Sequence, residues 1–291
     1  MTLTLIKGTF RIVGASPDGD SVRFYPDDPG AFQTAGIRVR LNSKGGAQLR
    51  LDGIDALETH YQAQNHGGQW RQPAELGQAA AAGLLSHLGF KKVTRDADGT
   101  VTAATPAQVP GHIMTRFADK YGRAVAIAFP GQRPGRTRDG ADVHLDPKGL
   151  RASANYALLR DGLVYPTFYS KLYLDLRQAM SDAAVTARDA GKGVWADDVT
   201  TGAGFRLKSR TQLRDELVIL PKLFRRLVDY LGLDETGGVS LTGFAHYLDT
   251  RDDRLFTVPA GHATELATLV EVKRQNVRLT VEPEQIVFNE G

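Results

Sequence analysis

Residues 47–58 read Ala47-Gln-Leu-Arg50-Leu-Asp-Gly-Ile-Asp55-Ala-Leu-Glu58. Apolar and polar residues alternate through most of the stretch, so residues 47–54 predict a strand with one buried face. Arg50 falls on the polar phase with Gln48 and Asp52. Asp55 and Glu58 follow the strand end, where a carboxylate commonly caps a turn or helix. Upstream, residues 8–13 and 20–25 alternate in the same way, joined by Gly-Ala-Ser-Pro-Asp-Gly, a turn by composition. Residues 37–41 predict a fourth strand, and residues 27–36 an inserted loop or hairpin. Downstream, residues 73–89 predict a helix. Pro73 suits its first turn, Glu75 its positive end, and the alanine-rich body has high helical propensity. Residues 93–118 show no clean period beyond a turn at Asp-Ala-Asp-Gly-Thr. Residues 123–129 predict another strand, and residues 150–161 and 174–190 two helices.

Short strands punctuated by turns, with few helices, favour an α+β fold built on a small OB-type barrel. The length of 291 residues favours a second unit as well. A Gly/Thr-rich break at residues 198–204 divides the chain into residues 1–203 and a smaller α/β accessory region, 204–291. That region predicts a helical stretch at 211–231, kinked or split by Pro221. A short helix at 239–249 and a hairpin from 266–272 and 276–281 follow. The expectation is that it docks on the barrel and carries no catalytic group.

The net charge is +3, which does not by itself indicate a nucleic-acid binder. Residues 1–203 carry 24 Lys and Arg against 20 Asp and Glu, and residues 204–291 carry 12 against 13. The basic excess therefore lies in the first region. Absence of cysteine excludes disulfides, thiolate metal sites and a cysteine nucleophile. No apolar run reaches the roughly 18 residues of a membrane span, and residues 1–20 carry no secretory signal; a cytoplasmic location is expected. Oligomeric state is not legible.

Three segments hold the candidate chemistry: Asp18-Gly-Asp20-Ser21, Arg50 to Glu58, and Asp119-Lys-Tyr-Gly-Arg123. Singly, each reads as ordinary turn or surface chemistry. Together with Asn155-Tyr-Ala-Leu-Leu-Arg-Asp-Gly-Leu163 and Ala187-Arg-Asp-Ala-Gly-Lys-Gly-Val-Trp195, they resemble the staphylococcal-nuclease-like (thermonuclease) family over residues 9–196, in the family's order. The resemblance implies an OB-fold barrel with packed helices and a calcium-dependent nuclease acting on DNA, RNA or both. By resemblance, Asp20, Asp55 and the carbonyl of Ala56 bind Ca2+. Glu58 is the general base or positions the attacking water, and Arg50 and Arg123 grip the phosphate. Lys120 and Tyr121 lie near the terminal phosphate. Phe168 and Ser170 fall at two aromatic nucleotide-contact positions, and a one-residue shift brings Tyr169 in.

The chemistry wants these residue types. Calcium takes oxygen ligands. A guanidinium fork matches two phosphate oxygens and stays charged. A carboxylate within reach orients or deprotonates water. The chain departs from the family in three ways: Leu57 stands where proline is usual, the segments flanking residues 50–58 are longer, and residues 204–291 are added. The alternative reading is a non-catalytic OB-fold module that binds nucleic acid or a protein partner. Arg133, Arg136 and Arg138 form a basic loop, read first as a solvated one, and His60 reads as a loop histidine.

Overall fold

The computed structural model describes residues 2–64, 68–132, 137–234 and 236–289. Five strands, β1 (Thr2–Phe10), β2 (Ser21–Pro26), β3 (Ala47–Leu51), β4 (Val109–Ala118) and β5 (Ala124–Pro130), form a closed mixed barrel. Their order is β1-β2-β3-β5-β4, and β4 closes it antiparallel against β1. The β3–β5 pair is parallel and sets Arg50 opposite Val125, while the β2–β3 pair sets Arg50 opposite Ser21. Because side chains alternate across a strand, Leu49 and Leu51 point inward and Arg50 outward. Phe10, Phe24, Leu49, Leu51 and Ile113 fill the interior without exposure.

Helices cover the barrel on the side that matters for the site. Helix α1 (Ala74–Leu88) buries Ala80, Leu84, Leu85 and Leu88 and ends on Gly89 in the left-handed region. Helix α2 (Ala154–Arg160) packs against it, and α3 (Leu174–Asp189) packs against α2. Asn155 on α2 is fully buried. Its side-chain oxygen accepts from the N–H of Ala128 at 3.0 Å, and its amide donates to the carbonyls of Asp52 and Ala126 at 2.9 and 3.1 Å. One side chain thus satisfies backbone groups of β5 and of the turn that leads to Asp55.

Two expectations change, and at Pro221 one of two stated alternatives is chosen. Residues 37–41 form no strand beyond an isolated bridge from Leu41 to Ala47, and residues 27–36 hold a helical turn at Ala31–Thr34. The unassigned stretch 93–118 supplies a hairpin (Lys92–Arg95 with Val101–Thr105) and then β4, the barrel's closing strand. Pro221 splits the predicted 211–231 helix into Arg210–Asp215 and α4 (Pro221–Leu231), where it occupies the first turn.

The C-terminal region does not stand apart. Phe224, Leu227, Val228, Phe244 and Leu279 share one core with Leu57, Trp70, Tyr165 and Trp195 from the first region. The strand Ile286–Phe288 pairs in parallel with Phe168–Tyr169 and antiparallel with Arg254–Thr257. Asp229 of α4 is fully buried and accepts from the hydroxyl of Tyr61 at 2.9 Å and from the N–H of Gln64 at 3.0 Å. Among the described residues, no helix is long and apolar enough to cross a membrane.

Candidate active site

Asp18 and Gly19 set the position of Asp20. The Asp18 carboxylate accepts the N–H of Asp20 at 3.2 Å and of Ser21 at 2.8 Å. A Cβ on Gly19 would lie 2.5 Å from the Cβ of Ala80 and 2.6 Å from that of Ala56, so only glycine lets this turn close on α1. Asp20 then reaches the segment after β3, where one of its oxygens accepts the N–H of Ala56 at 3.0 Å. Asp55 is held in a two-residue strand opposite Tyr165 and is 4% exposed. Glu58 is fixed through its backbone. Its N–H donates to the side-chain oxygen of Gln72 at 3.1 Å, and its carbonyl accepts from the Gln72 N–H at 2.7 Å. The Gln72 amide reaches on to the carbonyl of Ile219 at 2.8 Å, in the C-terminal region.

Arg225 on α4 completes the cluster. Its guanidinium donates to both oxygens of Asp55, at 2.7 and 3.2 Å, and to Glu58 as well. Burial raises the Asp20 carboxyl well above the ordinary range, helped by the negative charges of Asp18, Asp55 and Glu58. Burial works the same way on Asp55 but loses to the charge and hydrogen bonds of Arg225 and the charge of Arg50, and the net direction is down. Glu58 moves up, because burial and the charge of Asp55 outweigh Arg225. Burial opposes the charge on Arg225, yet Asp55 and Glu58 hold it firmly protonated.

Arg50 stands at the other side of the cluster. Its guanidinium donates to the hydroxyl of Tyr169 at 3.2 Å and lies 4.9 Å from the centre of that ring. Burial works against its charge, while Tyr169, Asp55 and Asp20 favour it and win. Arg50 and Tyr169 open onto a cleft of about 790 Å³ between the barrel and the C-terminal region. Seven Lys or Arg line it against four Asp, a local excess that the whole-chain charge does not reveal. Lys120 and Tyr121 come from the β4–β5 turn, and Lys222 and Arg226 from α4.

Comparison with known proteins returns no family model and no curated relative that matches the chain.

The sequence-predicted residues therefore divide. Asp20, Asp55, Ala56, Glu58 and Arg50 are gathered at the end of β3. Arg50, Lys120, Tyr121, Tyr169 and Ser170 line the cleft, while Asp20, Asp55 and Glu58 are not among its lining residues. Phe168 is fully buried in the core, so a nucleotide has no access to it, and of this pair Tyr169 reaches the cleft. Arg123 stays on its own turn, bonded to Asp119 at 2.7 Å and 5.7 Å from the Tyr121 ring centre. His60 is exposed and bonds Thr59. Arg133 and Arg136 lie outside the described residues. Leu57, in the position of the expected proline, is 1% exposed and belongs to the core shared with the C-terminal region.

Sequence reasoning missed Arg225. It lies in Pro-Lys-Leu-Phe-Arg225-Arg-Leu-Val, where its position reads as an ordinary polar helix face. Calcium is the cation that the resemblance implies, and the oxygens of Asp20, Asp55, Glu58 and Ala56 are the right donor type. With Arg225 docked they do not accommodate it, because the guanidinium already engages both Asp55 oxygens and Glu58.

Proposed function

We propose that the chain is a nuclease of the thermonuclease type that holds a DNA or RNA strand in the cleft and hydrolyses its phosphodiester bonds beside Arg50. The observation that carries this reading is that Arg50, on the lining of a basic cleft with aromatic rings, has the carboxylates Asp55 and Asp20 behind it, with Glu58 next to them. The barrel order β1-β2-β3-β5-β4 with a parallel β3–β5 pair supports an OB-type fold, whose faces suit extended strands.

In this reading the outward face of β3 presents Arg50 to a phosphate, and its guanidinium takes the non-bridging oxygens where charge develops. Tyr169 fixes the guanidinium from one side and offers a ring for a base to stack on. Lys120 and Lys222 draw the strand in from opposite walls. Glu58, with its proton affinity raised by burial, is the candidate to orient and deprotonate water. Asp55, with Glu58, holds the negative charge that fixes Arg225, and Asp55 also supports the charge on Arg50.

The Arg225 contact favours a second reading, a module that binds the strand without cutting it, because Glu58 and Asp55 are both engaged. Kinetics on a labelled single strand separate the two. Arg50→Ala and Glu58→Gln should each retain the fold and lower cleavage by about 10²–10³. Near-normal rates in both variants would remove the hydrolytic assignment.

A further inference from the structure

We propose that Arg225 is the resident cation of the Asp55–Glu58 pair, so that a divalent cation binds these carboxylates only by displacing it. The inference rests on reading those carboxylates as a metal site, and it reassigns part of that site to the C-terminal region.

The argument begins with how α4 is anchored. Leu223, Phe224, Leu227 and Val228 are buried at 0% exposure, so the backbone at Arg225 is fixed by the shared core. The Arg225 side chain leaves this anchor on the opposite face and keeps 21% of its surface exposed. A long, flexible and partly exposed side chain can swing out without moving the helix. The neighbouring cations of α4 are engaged elsewhere. Lys222 and Arg226 both pair with Asp253, at 3.0 and 2.6 Å. The Gln72 bridge from Glu58 to Ile219 holds the two regions together around the contact.

The guanidinium and a metal ion compete for the same atoms. Both oxygens of Asp55 and one of Glu58 accept from Arg225. A calcium ion needs six to eight oxygens at its own short distances, and it repels a guanidinium placed among them. Arg225 also neutralises one charge where three carboxylates converge, and its removal leaves buried charge uncompensated. A divalent cation is the natural replacement. Affinity for calcium therefore becomes a property of Arg225 as much as of the ligands.

The test is calorimetric titration of the full chain with calcium chloride, comparing the native protein, Arg225→Met and the double variant Arg225→Met/Asp55→Asn. Arg225→Met should bind calcium at least about tenfold more tightly than the native chain, and the double variant should lose that gain. Equal affinity in the native protein and Arg225→Met, or a gain that survives Asp55→Asn, overturns the proposal. Should Arg225→Met not fold, the native chain decides the question. Weak binding that leaves its melting temperature unmoved in calcium supports the proposal, and tight binding abolished by Asp55→Asn overturns it. Because the readout is calcium binding, the outcome is independent of cleavage. Tight binding with cleavage in the native chain sinks this inference alone. The expected affinity pattern without cleavage in any variant sinks the nuclease reading alone.

Discussion

The barrel and the C-terminal region bury their apolar residues by different means. In the barrel, alternation along five strands points Leu49, Leu51, Phe24 and Ile113 into one closed interior. The C-terminal region has one helix of about three turns, α4, shorter helical pieces such as Arg210–Asp215 and Phe244–Asp249, and several strands of two to four residues. These pieces pool their apolar residues in one core, which Leu57, Trp70, Tyr165 and Trp195 of the first region join. The first lesson is that a linker-like composition at residues 198–204 does not mark a boundary in packing. The second is that the candidate site lies on the seam, with Arg50 and the carboxylates from one side and Arg225 from the other.

The largest effect should come from cutting at the seam. Residues 1–203 alone lose the cover over Tyr165 and Trp195 and the counter-ion of Asp55. They should fail to melt cooperatively under conditions where the full chain does, as followed by circular dichroism and calorimetry. A cooperative transition in 1–203 would restore the picture of a self-sufficient barrel with an accessory unit.

A smaller cut sharpens the same comparison. Phe224→Ala in the shared core should cost about 3–5 kcal/mol, as should Phe24→Ala in the barrel, and both variants should still unfold in one transition. Two resolved transitions in Phe224→Ala would mean that the regions fold separately.

The sequence allowed much of the barrel to be read, because β2, β3 and the end of β1 alternate in polarity and β5 is an apolar run after a turn. It concealed β4. Val109 to Thr115 is buried at all but one position, since this strand pairs with neighbours on both edges and is covered on both faces, and Pro110-Gly111 mimics a turn. Residues 37–41 misled in the opposite direction. Their alternation is real, but backbone bonds such as Arg40 to Gly122 tie them to a turn and not into the ladder. The carboxylates and Arg50 were visible as a local motif. Arg225 was not, because nothing local tells that a polar helix face will meet Asp55, 170 positions away in the chain.

The next effect is pH-dependent and belongs to the C-terminal wall of the cleft. Burial opposes the charge on Asp253, but Arg226 and Lys222 outweigh it and bring the carboxyl down from 3.8 to about 2. A carboxyl whose pKa is depressed in the folded state stabilises it above the unfolded value and loses that contribution as pH falls through the folded value. Acid melting curves should therefore show the native chain losing stability between about pH 4 and 2 more steeply than Asp253→Asn. Parallel curves would take Asp253 out of the account. The smallest effect is expected on the barrel wall. Lys120→Ala should weaken single-strand binding by a few-fold, more at low salt than at high, and leave stability unchanged, as read by fluorescence anisotropy and melting.

The most direct measurement mixes the full chain with an end-labelled single strand of DNA, and separately of RNA, in excess calcium and in chelator. The account predicts shortened products in calcium, at concentrations high enough for the ion to displace Arg225, and an intact strand, shifted by bound protein, in chelator. An intact strand in both conditions would contradict hydrolysis and leave a cleft that binds without cutting.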